Sequence, residues 1–127
     1  MNLEKTVFGF FVLLAMTLNF SFVNGDIDNT NHHNVWLLFV AIVANVLATG
    51  LKLGERSQTG GLLLATALVA NLQLFASAGV WTIAVHVSDA GMTSEVMALI
   101  VSLANGALVA NVISVIIVVC ETLMARR

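Results

Sequence analysis

Residues 96–120 read VMALIVSLANGALVANVISVIIVVC and contain no charged side chain. About 20 consecutive apolar residues are enough for a helix to cross the hydrocarbon core of a bilayer. A strand would show apolar and polar residues in alternation, whereas the apolar residues here follow one another without it. The segment therefore predicts a transmembrane helix.

Three further apolar segments come before it, at residues 6–23, 35–53 and 61–87. The chain of 127 residues is 59% hydrophobic and 9% charged, with a mean hydropathy of +0.98. A soluble domain of this size has too little interior to hide so much apolar surface. In lipid, backbone polar groups must be satisfied within the chain, as they are in helices. We predict a single all-α domain over residues 1–127, an antiparallel bundle of four transmembrane helices with short connections.

The basic residues indicate how this bundle is oriented. They lie before the first predicted helix, in the second connection and at the tail: Lys5, Lys52, Arg56, Arg126 and Arg127. The opposite side holds acidic residues and no lysine or arginine. Because basic residues collect on the cytoplasmic side, we predict that both termini are cytoplasmic. We interpret the first apolar segment as a retained membrane helix rather than a cleaved secretory signal.

Small residues recur at four-residue spacing in the predicted helices. Helices associate in lipid through close packing, which small side chains permit. The fourth helix offers the longest row and the second a G-x-x-x-G pair, so we predict helix-packing roles for Ala98, Ser102, Gly106, Ala110 and Ser114, and for Gly50 and Gly54. The row on the fourth helix predicts one nearly continuous groove.

Each predicted helix also contains a side-chain amide. These intramembrane polar residues are Asn19, Asn45, Asn71, Gln73, Asn105 and Asn111. An amide without a partner in hydrocarbon costs several kcal/mol, so each must face protein or water. One interpretation is that they join helices by hydrogen bonds; the other is that some line a hydrated path. At about 1.5 Å per residue, Asn45 and Asn105 share a depth and could meet, with Asn71 and Asn111 forming a second layer.

Two of these amides are too close in sequence to face the same side. Asn71 and Gln73 are separated by about 200° around a helix, so they cannot both point to the centre of one bundle. Asn105 and Asn111 likewise flank the row of small residues on opposite sides. This excess of polar faces predicts a second protein surface, belonging to another copy of the chain or to a larger membrane protein.

The side opposite the basic residues has its own polar group. It consists of Asp26, Asp28, His32, His33, His86 and Asp89. We interpret these residues as a solvated outer connection, with cation binding as the alternative, although no strong metal-ligand spacing is present. His86 lies near the outer end of the third predicted helix, where an interfacial role is favoured over a functional one. We predict no metal site and no cofactor.

Several classes of function are disfavoured. No carboxylate lies in the middle of a predicted helix, which argues against a proton-coupled exporter of the small four-helix type. A phosphate-binding loop and a nucleophile constellation are both missing, so we do not expect an enzyme. The sequence has no extended basic surface, so we do not expect a nucleic-acid partner.

Three stretches suggest a relationship to known proteins: MNLEKTVFGFFVLLAMTLNF at the start, GDIDNTNHHNVW at residues 25–36, and LLLATALVANLQLFASAGVWTIAVHV at residues 62–87. Together they resemble an uncharacterised family of small four-helix inner-membrane proteins from proteobacteria. The resemblance implies a multi-pass protein of the bacterial inner (cytoplasmic) membrane. It implies no activity and no site residues.

These features lead to two hypotheses of function. The first is a non-enzymatic subunit that self-associates, or docks on a larger transport or envelope complex, through the groove on the fourth helix. The alternative is a small homo-oligomeric cation channel or transporter, in which acidic residues at the outer mouth attract cations and asparagines line the path.

Overall fold

The computed structural model describes residues 3–25, 34–53 and 58–125 of the chain. These residues contain four α-helices and no strand: α1 Leu3–Val23, α2 Val35–Lys52, α3 Gln58–Thr82 and α4 Ser94–Ala125. A short π-helix, Ile83–Val87, continues α3. The prediction of an all-α chain is confirmed, with four helices that are long and apolar enough to cross a membrane.

Polar residues begin two of the helices. The side chain of Asn34 accepts a hydrogen bond from the backbone N–H of Trp36 at 2.9 Å and so caps α2. Before α4, the hydroxyl of Thr93 accepts from the N–H of Val96 at 3.1 Å. The turn into α4 contains Gly91 with φ +68°, a conformation that glycine adopts without strain. Local chemistry therefore sets the helix starts near the predicted ones.

The helices form a closed ring. Each packs against the next along the chain, and α1 also packs against α4, so α1 lies across from α3 and α2 across from α4. Lys5 in α1 lies 3.6 Å from Glu121 in α4, measured between Nζ and Oε1. The beginning of α1 and the end of α4 therefore share one end of the bundle, which we call the terminal end. The other is the far end.

Buried apolar side chains form two clusters inside the ring. The far cluster consists of Phe22, Leu38, Ala41, Ile42, Ala70, Leu74, Met97, Ile100, Val101, Ala104, Ala107 and Ala110. The terminal cluster consists of Phe8, Val12, Ala48 and Leu63. The core is thus divided in two, and polar side chains occupy the region where the clusters meet.

Candidate functional site

A layer of buried or half-buried polar side chains lies where the two clusters meet. We call it the polar layer, and it consists of Asn45, Thr49, Thr66, Asn71, Asn111 and Ser114. Its members lie on α2, α3 and α4, which are three of the four helices in the ring. An unpaired polar group is costly in such surroundings, and the partners of each member decide what the layer does.

A chain of hydrogen bonds joins α2 to α3 in this layer. The Asn71 side chain donates from Nδ2 to the hydroxyl of Thr49 at 2.7 Å. That hydroxyl donates to the backbone carbonyl of Asn45 at 2.8 Å. The amide of Asn45 donates to the carbonyl of Ala41 within its own helix at 3.3 Å. The Asn71–Thr49 bond fixes the axial position of α3 relative to α2.

Hydroxyl groups join α3 to α4. The side chains of Thr66 and Ser114 hydrogen-bond each other, and Thr66 also reaches the carbonyl of Leu63 at 2.8 Å. Closer to the far end, the hydroxyl of Ser77 donates to the carbonyl of Ile100 at 2.8 Å. Sequence reasoning missed Thr49 and Ser77. The signal for Thr49 was its place one helical turn after Asn45, on the same face.

Three asparagines keep hydrogen-bonding capacity that the described residues do not satisfy. Both amide atoms of Asn19 in α1, Oδ1 of Asn71 and Nδ2 of Asn111 are buried and have no partner there. Asn19 is 0% exposed. Each unsatisfied group costs about 1–3 kcal/mol. The core therefore presents two donors and two acceptors that could bind water or another small polar group.

Neither predicted pair of amides is joined by a hydrogen bond, since Oδ1 of Asn71 and Nδ2 of Asn111 have no partner among the described residues. Asn45 and Asn105 share no hydrogen bond among those of the described residues, because α2 and α4 lie across the ring from each other. Asn105 is only half-buried. Asn71 is buried and Gln73 half-buried, so these two amides face different sides. A Cβ atom at Gly106 would lie 3.0 Å from the Gln73 side chain, which places that side chain in the contact between α3 and α4.

The row of small residues on α4 does not form one surface, contrary to the expectation of a continuous groove. Ala110 and Ser114 are buried inside the bundle, Ala98 and Gly106 are half-buried, and Ser102 is exposed. Each step of four residues turns about 40° around a helix, so five such residues sweep about 160°. One part of the row therefore packs within the chain and another part faces outward.

Of the glycine pair predicted on α2, only Gly50 lies in the described residues. Gly50 is exposed, and a Cβ atom there would have no neighbour within 4 Å. It therefore makes no close contact with another helix of this chain. Gly54 lies outside the described residues.

The far end holds the predicted histidine and acidic residues that can be described. His86 is exposed in the π-helix, and its ring lies edge-on to Trp81 with 5.7 Å between centroids. Asp89 is exposed in the turn that follows. Four predicted residues fall outside the described part of the chain: Asp26, Asp28, His32 and His33. Within residues 3–25, 34–53 and 58–125, no three His, Cys, Asp or Glu side chains are grouped as metal ligands.

A cavity of about 180 Å³ opens at the terminal end. Its polar lining consists of Lys5, Thr6, Lys52, Glu121 and Thr122. Lys52 is only 4% exposed, and its Nζ lies 4.6 Å from the centroid of the Phe8 ring. The sequence marked Lys52 as a basic residue at a helix end and gave no sign of its burial. Glu121 pairs with Lys5 across the cavity wall.

A comparison with known protein families identifies the family of this chain. Residues 32–122 match the model of a family described as of unknown function (DUF6394). The chain belongs to this family. The match covers α2, α3, most of α4 and every member of the polar layer, while α1 with Asn19 precedes it. The predicted membership of an uncharacterised family is confirmed, and its proteobacterial origin stays a prediction. The comparisons with curated proteins and with solved structures gave no match.

Proposed function

We propose that the protein is a non-enzymatic membrane subunit that associates with a second copy of itself through the outward face of α4 and the adjoining edge of α3. The proposal depends mainly on one observation. Polar groups lie on a face that lipid would otherwise cover, with Ser102 exposed and both Asn105 and Gln73 half-buried. Ser102 lies about 12 Å along α4 from its first residue, at 1.5 Å per residue, so it is well inside the helix.

The composition of this face favours a copy of the same chain. An amide side chain contains both a donor and an acceptor, so one surface can pair with itself across a two-fold axis. Ala98 lies on the same side of α4 as Ser102, and small side chains allow two helices to approach closely. A second α4 would therefore supply both packing and partners for the amides.

The rival function, a small cation-conducting oligomer, is less well supported by the geometry. The unsatisfied amides of the polar layer favour a hydrated interior. However, the far cluster lies between that layer and the far end, and its Leu38, Leu74 and Ile100 are fully buried. A path along the axis of one chain would have to cross this apolar region. Conduction would then require a route between chains.

The proposed location is the bacterial inner membrane, with both termini in the cytoplasm. The positions of Lys5 and Lys52 support this orientation, since both line the cavity at the terminal end. At the far end, the described ionisable residues include the acidic Asp89 and Glu95. Labelling in intact cells of single cysteines introduced at Asp89 and at Leu3, with the exposed Cys120 replaced by serine, would test the orientation. An impermeant reagent should modify only the cysteine at position 89.

Self-association is best tested by placing a bulky residue on the exposed part of α4. Ser102→Leu should weaken the dimer at least about tenfold, equivalent to about 1.4 kcal/mol. Thr17→Leu, an exposed position on α1, is the matched control and should leave the dimer unchanged. Gly106→Leu is a less clean probe, because its side chain would also displace Gln73 within the chain.

The measurement is the mass of the complex in lipid nanodiscs, followed over a range of protein-to-lipid ratios. A wild-type chain that stays monomeric throughout would contradict the proposal, as would a dimer that Ser102→Leu and Thr17→Leu leave equally intact. Co-purification of a larger protein in fixed proportion, lost in Ser102→Leu, would replace self-association with an accessory role.

A further inference from the structure

The cavity at the terminal end has polar side chains at its mouth and both apolar and charged side chains deeper inside. Lys5, Thr6 and Thr122 are exposed at the mouth, whereas Phe8, Lys52 and Leu63 are buried beneath it. Its volume of about 180 Å³ equals roughly six water molecules at their share of the liquid. The cavity therefore admits a polar group of several heavy atoms from the surface.

The charges around this cavity favour an anion. Among the described residues, its ionisable lining consists of two lysines and one glutamate. Lys5 and Glu121 form an ion pair at 3.6 Å near the mouth. The ammonium of Lys52 lies deeper. The hydroxyl of Thr122 on the wall donates to the backbone carbonyl of Val118 at 2.8 Å, so the two ammonium groups are the donors that face the cavity. Ammonium donors beside an acceptor-rich group suit a phosphate.

An apolar groove continues from this cavity along the seam between α1 and α4. A second cavity, of about 150 Å³, is lined by Gly9, Val12, Leu13, Val115, Val118 and Val119. Gly9 and Val118 also line the first cavity, so the two spaces adjoin. A Cβ atom at Gly9 would have no neighbour within 4 Å, so the junction is open. Along this seam, the polar cavity at the terminal end adjoins an apolar groove. A phospholipid has the same arrangement, with a polar headgroup next to an apolar acyl chain.

From this arrangement we infer that the terminal-end cavity binds the phosphate group of an anionic phospholipid, with one acyl chain in the groove between α1 and α4. Basic pockets between transmembrane helices bind such headgroups in other membrane proteins. The apolar groove favours a lipid over free phosphate, since a free anion would leave the groove without a ligand. The lipid comes from the leaflet at the terminal end.

The test compares the lipids that the full-length protein retains in mild detergent, measured by native mass spectrometry. Phosphatidylglycerol and phosphatidylcholine with identical acyl chains are supplied in equal amounts. The wild-type chain should retain phosphatidylglycerol preferentially, and Lys52→Met should lower that retention about fivefold, the effect expected for one lysine near a membrane surface. Glu121→Gln should raise retention, because it removes the negative charge at the mouth and releases Lys5.

A separate substitution tests the groove between α1 and α4. Gly9→Leu places a side chain at the junction, where its Cβ atom would have no neighbour within 4 Å, and should reduce lipid retention. Gly50→Leu on α2, where a Cβ atom also has no neighbour, is the matched control and should leave retention unchanged. If Lys52→Met does not fold, Lys5→Gln replaces it, because the Lys5 side chain is 52% exposed.

The outcomes separate the sources of the phosphate group. Equal retention of both lipids by the wild-type chain would overturn the inference, as would lower retention in Glu121→Gln, which would indicate a purely structural cavity. A rise in melting temperature with millimolar inorganic phosphate, equal in wild type and Gly9→Leu and without a preference for phosphatidylglycerol, would assign the cavity to free phosphate instead.

Discussion

The far cluster and the polar layer stabilise the same bundle by different means. The cluster fills its space with apolar side chains such as Leu38 and Ile100, both fully buried. Lipid tails are as apolar as leucine. Burying these side chains within a membrane therefore improves van der Waals packing but adds little hydrophobic free energy. The polar layer contributes directional bonds such as Asn71 to Thr49. From this comparison we expect packing to supply most of the stability and the hydrogen bonds to favour one register of the helices.

The largest effect should come from the far cluster. Leu38→Ala leaves a cavity that the closed ring cannot refill, and we expect a loss of about 2 kcal/mol or more in the free energy of unfolding. Leu72→Ala is the control, because Leu72 is 71% exposed and its loss should cost less than about 0.5 kcal/mol. Steric trapping in bicelles measures both. Equal losses at the two positions would mean that the cluster does not dominate stability.

A smaller effect is expected for the bond between α2 and α3. Asn71→Leu, Thr49→Val and the double variant form a thermodynamic cycle, and the coupling energy should lie at about 0.6–2 kcal/mol. Unfolding free energies of the four proteins in the same bicelles provide the measurement. Strictly additive losses would show that the bond between Asn71 and Thr49 contributes no net stability.

The smallest change in the free energy of unfolding, and one of opposite sign, is expected at Asn19. Its buried amide has no partner among the described residues, so Asn19→Leu should leave stability unchanged or raise it by about 1 kcal/mol. Thermal unfolding in detergent is sufficient to detect the sign, with Asn71→Leu as the comparison. A clear loss at Asn19 would mean that water or another chain bonds the amide, and would strengthen the case for a hydrated interior.

The helices could be predicted from the sequence because hydropathy and polar connections decide them locally. Their ends could not be predicted as well. The prediction stopped at Cys120, whereas α4 continues to Ala125, since a helix does not have to end where apolar residues do. The π-helix at Ile83–Val87 likewise lies within the apolar segment predicted at residues 61–87, and no proline marks its position.

The candidate sites were harder to predict than the fold. The amides could be identified by their polarity, but their partners depend on which helices are neighbours, as the separation of Asn45 from Asn105 shows. The burial of Lys52 depends on Phe8, a residue 44 positions earlier in the chain (52 − 8), whose ring lies against its ammonium. A single helix cannot reveal such a contact, because it exists only after α1 and α2 have packed together.

The contact between α1 and α4 affects how the protein is made. α1 is synthesised before α4, yet the two helices lie side by side in the finished ring, joined at Lys5 and Glu121. Helices enter the membrane one after another and then assemble. During biosynthesis, the side of α1 that includes Gly9 and Val12 must therefore stay covered by lipid or by the insertion machinery until the last helix arrives. On this order of insertion, the ring closes last at the seam between α1 and α4.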